Sequence, residues 1–278
     1  MMYVLGMSHA INVLKAASRT PLSFSHENWS ALSTGGKFFD IDVKPGTLAG
    51  DTLKAFIASP ATGWGSVAEL RTLPDGQRQV AAVDGFVDLL LSLEGEQEQG
   101  MLFSFVHGNE HSMLSLVQHP QPYDFYLPQR PDLELAPDRQ PIPYEIVRQQ
   151  MARALNPTIG CLAMTRMKLP RMRLVHVMPP PPIESEAQIM HAPEVFREQL
   201  TQFGITPLSI RLKYHLLATD VLRSEVSPFG VTVLECPLQA VAASGAIKNE
   251  YAFGATHANE AYGALVFQQM QDLANGGV

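Results

Sequence analysis

Four short stretches of this 278-residue chain carry residue types that can do chemistry together. Ser8 stands where the apolar run 3–5 gives way, through Gly6, to a helical pattern over 10–16. Asn109 lies in His107-Gly108-Asn109-Glu110-His111, directly after the apolar run 101–106. His257 lies in Gly254-Ala255-Thr256-His257-Ala258-Asn259, ahead of a terminal helical pattern, and Gly46 sits in Pro45-Gly46-Thr47 after the strand-like segment 37–43. A serine hydroxyl is a weak nucleophile until a base such as histidine takes its proton. The oxyanion formed on an attacked carbonyl needs preorganised donors, for which backbone amides and an asparagine amide serve. Together these residues are a set for acyl transfer. Each also has a plainer use: serine is a favoured helix N-cap, asparagine suits tight turns, and a histidine ahead of a helix can simply belong to the helix end.

The elements that must position these residues follow from the hydrophobic pattern. The apolar runs 3–5, 101–106, 173–178 and 231–235 have strand length and no polar alternation, as parallel strands buried on both faces do. Helical spacing recurs over 86–93, 144–155, 193–203, 209–226 and 258–273. Alternation of strand and helix from end to end predicts an α/β fold: three layers, doubly wound, a mainly parallel central sheet with helices on both faces. Sites in such sheets form outside the carboxyl ends of the strands, and Ser8, Gly46 and Asn109 each follow a predicted strand. One domain over 1–278 accounts for the pattern. It carries a hairpin near 67–83, turning at Pro74-Asp75-Gly76, read as an insertion at the sheet's edge or over the site, and a proline-rich loop near 118–143, read as a pocket wall.

Composition narrows the function. The 20 basic residues are scattered and outnumbered by 27 acidic ones, for a net charge of −7, which argues against nucleic acid and against a polybasic membrane surface as partners. No apolar run approaches the ~20 residues of a spanning helix, and the chain enters a core strand without a leader pattern, so a cytoplasmic location is expected. Cys161 and Cys236 have no metal-type spacing and read as buried thiols of a reducing compartment. No glycine-rich phosphate loop or dinucleotide fingerprint occurs, so no cofactor is expected. His107 and His111 flank Glu110, but an i, i+4 metal pair needs a helix and further ligands, and no metal is expected. His9 and His176 are read as structural, and Met164, Met167, Met172 and Met178 as gap-filling core.

Taken in order, the blocks resemble those of the SGNH, or GDSL-type, hydrolase superfamily. Gly6-Met7-Ser8 resembles its Gly-Asp-Ser block, Gly46 its second-block glycine (with Gly35 and Gly36 competing), His107-Gly108-Asn109-Glu110 its Gly-x-Asn-Asp, and Gly254-Ala255-Thr256-His257 its Asp-x-x-His. Gly-Asn-Glu-His and Thr-His-Ala-Asn-x-x-Tyr-Gly are also similar to phrases of an uncharacterised bacterial group in that superfamily. The resemblance implies Ser8 as nucleophile, His257 as general base, and an oxyanion hole from the amides of Ser8 and Gly46 with the Asn109 side chain. The expected activity is that of a serine ester hydrolase or acyl transferase working on a small-molecule or carbohydrate ester. Met7 and Gly254 stand where the pattern has aspartates. Glu250 and Glu260 are therefore candidate orienting acids, with a backbone carbonyl or water, leaving a Ser-His dyad, as the favoured alternative. The missing acid also supports a second reading, a non-catalytic member of the fold that binds an acylated ligand or a protein partner.

Overall fold

The computed structural model describes residues 1–22, 36–47, 50–58, 67–96, 98 and 100–276. The chain runs through β1 (Met2–Gly6), α1 (Ser8–Ala17), β2 (Phe39–Asp42), β3 (Thr52–Ile57), β4 (Ala68–Thr72), β5 (Arg78–Ala82), α2 (Asp84–Leu91), β6 (Met101–Phe105) and α3 (Glu110–Ser115). It continues with β7 (Tyr123–Asp124), β8 (Gln140–Pro141), α4 (Tyr144–Ala154), α5 (Asn156–Lys168), β9 (Arg173–Val177), α6 (Glu186–His191) and α7 (Arg197–Phe203). It ends with α8 (Leu208–Val226), β10 (Val231–Leu234), β11 (Ala252–Phe253), β12 (His257–Ala258) and α9 (Glu260–Ala274).

Six strands form the central sheet in the order β10-β9-β6-β1-β3-β2. The first five are parallel, and β2 joins the edge antiparallel to β3. Alternate residues of each strand feed two separate cores. Tyr3 and Leu5 pack with Phe56, Leu102 and residues of α2, α4, α5 and α8 on one face. Met2 and Val4 pack with Ala55, Phe103 and residues of α1 and α9 on the other. This is the expected three-layer α/β arrangement, and it explains why the central strands show no polar alternation: both faces are buried.

The order of the sheet decides where a site can form. From β1 the chain crosses to β3 on one side and then to β6 on the other, so the winding reverses between β1 and β6 and leaves a crevice outside their carboxyl ends. Ser8 follows β1 and Asn109 follows β6, which puts both at that crevice. Gly46 belongs elsewhere. The second parallel strand is β3, not the segment 37–43, whose strand β2 runs the opposite way: Asp42 pairs with Thr52 at the start of β3, while Gly6 pairs with Ile57 at its end. The turn carrying Gly46 therefore lies at the amino edge of the sheet, where its N–H donates to Asp51 Oδ1 at 3.1 Å. The assignment of Gly46 to the oxyanion hole is corrected by this topology. Of its competitors, Gly36 precedes the start of β2, which pairs toward the carboxyl half of β3 (Phe39 with Ala55), and Gly35 lies outside the described residues.

The hairpin 67–83 forms as β4 and β5 and packs on α5. Helix α5 starts at Asn156-Pro157, a pair that reads as a break in the sequence, and proline is accommodated in the first turn of a new helix. The loop 118–143 is held by a buried ion pair. Lys213 Nζ from α8 donates to both carboxylate oxygens of Asp124 and to Glu134 O, each at 2.9 Å, and Asp124 Oδ2 accepts from Ala136 N at 2.9 Å. So pinned, the loop forms a wall, through Gln118, His119, Pro120, Tyr123 and Arg139, of a cleft of about 340 Å³. Among the described residues, no helix is long and apolar enough to cross a membrane.

Candidate functional site

Ser8 is the first residue of α1, so its N–H has no partner within the helix and forms part of the positive end of the helix dipole. The N-cap is Met7, and the helix has no side-chain cap. The Ser8 hydroxyl therefore does not cap the helix; it lies 3.0 Å from Nε2 of His257.

His257 sits in β12, tied to β11 through the pairs Ala252 with Ala258 and Phe253 with His257. Its position against α1 is fixed by Asn12, a buried residue whose Nδ2 donates to Ala258 O at 2.6 Å. Helix α9 also lies directly on α1. A side chain at Gly263 would collide with the backbone at Asn12, so glycine there lets the two helices meet backbone to backbone and carries β12 to Ser8.

The far side of the His257 ring holds a carboxylate. Nδ1 lies 2.8 Å from Oε1 of Glu194, and the other oxygen, Oε2, accepts from Thr256 Oγ1 at 2.7 Å. The side chains are 11% exposed for His257 and 23% for Glu194. Burial alone would raise the Glu194 carboxyl, but hydrogen bonds and charge from His257, with the bond from Thr256, hold it below its ordinary value. An ionised Glu194 requires the proton on Nδ1, which leaves the Nε2 lone pair facing the serine hydroxyl. Neither Glu250 nor Glu260 takes this place. Glu250 is exposed and offers its backbone carbonyl to Asn259 Nδ2, and Glu260 is an exposed first-turn residue of α9. The expected carbonyl or water on Nδ1 is likewise replaced by Glu194.

Glu194 is held at φ +53, a costly conformation for a non-glycine residue, at the start of a 3-10 turn over Glu194–Phe196. Nothing in the local sequence announced it, since it stands 63 positions from His257 within a stretch of helical spacing.

Asn109 is the N-cap of α3 but makes no side-chain cap bond. Its Oδ1 lies 2.9 Å from Nε2 of His9, whose ring stacks on that of His257 with centroids 4.6 Å apart and planes at 26°. His9 thus touches both the His257 ring and the Asn109 amide. The turn holding Asn109 is built by its neighbours: Gly108 N donates to Glu110 Oε2 at 3.0 Å, and Thr158 donates to Glu110 Oε1 at 2.8 Å. Met7 accepts from His107 N through its sulfur. His111 and His215 meet edge to face at 5.0 Å, and His176 lies 3.4 Å from Ser104 Oγ.

No family model matches the sequence, and no curated protein sequence matches it either. Among solved structures, the chain is similar to the periplasmic domain of a lipopolysaccharide acetyltransferase of Salmonella ser. Paratyphi A. The TM-score is 0.45 at 9% identity, over 98% of this chain and 82% of that one.

Proposed function

We propose that this protein is a serine ester hydrolase or acyl transferase of the SGNH type that works through an acyl-serine intermediate. The observation that carries this reading is the continuous chain Ser8 Oγ, His257 Nε2, His257 Nδ1, Glu194 Oε1, with links of 3.0 and 2.8 Å. In this reading Nε2 takes the Ser8 proton as Oγ bonds to the ester carbonyl carbon. Negative charge moves to the carbonyl oxygen, where the Ser8 N–H and the Asn109 amide receive it. Collapse of the adduct breaks the bond to the alcohol, which leaves with the proton from Nε2. A water or an acceptor hydroxyl then repeats the sequence on the acyl-serine. Glu194 stabilises the imidazolium formed in each half and keeps Nε2 aimed at Oγ.

The non-catalytic reading drew on the absence of an acid before His257, and a carboxylate on Nδ1 removes that motive. A cytoplasmic location remains part of the proposal, on two free cysteines of which Cys161 is buried. The test is labelling with a serine-reactive fluorophosphonate beside turnover of an aryl acetate. The reading expects stoichiometric labelling that Ser8→Ala abolishes. A folded wild-type protein that neither labels nor turns over the ester would refute it.

A further inference from the structure

We infer that His9 is a positioning residue that fixes which end of the Asn109 amide faces the substrate. The inference rests on the serine-hydrolase reading, and extends it to the residue that follows Ser8 in α1.

An asparagine amide presents a donor at one end and an acceptor at the other, and its terminal torsion is broad and nearly two-fold. An oxyanion needs Nδ2–H; the flipped amide would turn Oδ1 toward the developing charge and repel it. The usual constraint on an asparagine at a helix start, a cap bond from its own Oδ1, is missing at α3. The constraint comes from His9 instead, because Oδ1 can accept at 2.9 Å only if Nε2 of His9 carries a hydrogen. That bond leaves the two Nδ2 hydrogens for another acceptor.

The surroundings are shaped for the ring. Gly108, at φ +110, passes beside it, and a β-carbon there would come within 3.0 Å of His9 Cδ2 and 3.4 Å of Nε2. The other side of the ring lies on His257. As the residue after Ser8, His9 has its backbone fixed in the first turn of α1. One imidazole thus spans from the base to the carbonyl-binding amide, and the three groups keep a common frame.

Two substitutions separate its properties. His9→Phe keeps the stacked ring and loses the donor; His9→Gln places an amide N–H near the position of Nε2 and loses the ring. We expect His9→Phe to lower kcat on an aryl acetate by about 10- to 100-fold with KM within about twofold, a fraction of what removing an oxyanion donor costs. His9→Gln should recover most of that loss, and His9→Phe should add nothing further in an Asn109→Ala background. A second readout does not need activity: in ¹⁵N NMR, His9 should carry its hydrogen on Nε2, and the Asn109 side-chain amide should become more mobile in His9→Phe. Full activity of His9→Phe, additive losses with Asn109→Ala, or an Asn109 amide indifferent to the substitution would each overturn the assignment. If wild type neither labels nor turns over, the serine-hydrolase reading fails, while the amide measurement still decides whether His9 orders Asn109.

Discussion

The Glu194 carboxylate fills the space above Gly254: a β-carbon at position 254 would collide with Glu194 Oε1, the oxygen that meets His257. The two positions are alternatives. An acid three residues before the histidine and an acid delivered from the 3-10 turn at 194 would occupy the same volume, and this chain has the second. Sequence alone suggests that Gly254→Asp should supply a missing acid and raise activity. The structure reverses that expectation. The new side chain would expel Glu194, at a residue held at φ +59, where a non-glycine residue costs about 1–2 kcal/mol. Gly254→Asp should therefore lower both kcat and Tm. The double variant Gly254→Asp, Glu194→Gly should recover activity relative to either single change, since aspartate tolerates this backbone region. Kinetics of the three variants on an aryl acetate test this, and a gain from Gly254→Asp alone would contradict it.

Glu194→Gln keeps the side chain's shape and removes its charge. A glutamine offers either an oxygen or an NH₂ to Nδ1, and the imidazolium is no longer stabilised by a carboxylate. In serine hydrolases the corresponding change costs up to about 10⁴ in turnover through the wrong tautomer. We expect a loss of about 10²- to 10⁴-fold in kcat with a modest fall in the thermal midpoint, because the ionised carboxylate also contributes stability. Undiminished turnover would detach Glu194 from the mechanism.

Ser8→Ala should abolish turnover and phosphonate labelling while hardly changing stability. Because Met7 is the N-cap and the Ser8 hydroxyl satisfies no helix N–H, the cost should stay within about 0.5 kcal/mol, below that of a lost cap. Urea denaturation of the variant beside wild type measures it. A loss of about 1 kcal/mol or more would show that the hydroxyl also holds the fold, through its bond to His257.

What was legible in the sequence has a common physical basis. Ser8, Asn109 and His257 each sit beside a strand end or a helix start, where an apolar run breaks into polar residues, and that contrast survives in one dimension. Glu194 carries no such contrast. It arrives from a surface turn, its signature is a positive φ, and the space it fills is defined by a glycine 60 positions away in the chain. The misplacement of Gly46 has another cause: segment 37–43 looks like a strand and is one, but direction is a property of pairing, not of composition. Thr52–Ile57, the parallel strand, has a half-buried Lys54 in its pattern that weakened its apolar signal.

The ion pair between Lys213 and Asp124 gives a prediction about the fold. Their side chains are 0% and 1% exposed, and together they join α8 to the loop that walls the cleft. Removing one partner strands a buried charge, which costs about 3–5 kcal/mol. Lys213→Met alone should lower the urea midpoint strongly. Adding Asp124→Asn should recover much of the loss, because no isolated charge remains. A single variant as stable as wild type would show that the loop is held by other contacts.

The last prediction concerns pH. Burial pushes His107 and His215 down to about 4 and His176, with a contribution from the nearby His107 charge, to about 3. His111 is also held well below its ordinary value by burial and by the charges of His215 and His9. In the unfolded chain such side chains titrate near about 6.5. As pH falls below that value the unfolded state takes up protons that the folded state refuses, so unfolding becomes easier on acidification. The window runs from about 6.5 down to about 4, where His107 and His215 begin to protonate in the folded protein as well. Glu194, held below its ordinary value, contributes stability that is lost in the same direction at lower pH. We therefore expect the urea midpoint to fall steadily between pH 7 and pH 4.5. His215→Phe should flatten the slope: the ring nitrogen Nδ1 has no hydrogen-bond partner, so the substitution removes a proton site without breaking a bond made by that atom. Midpoints measured at half-unit intervals for both proteins check this. A midpoint independent of pH across the window, or equal slopes for the two proteins, would show that these imidazoles do not govern acid sensitivity.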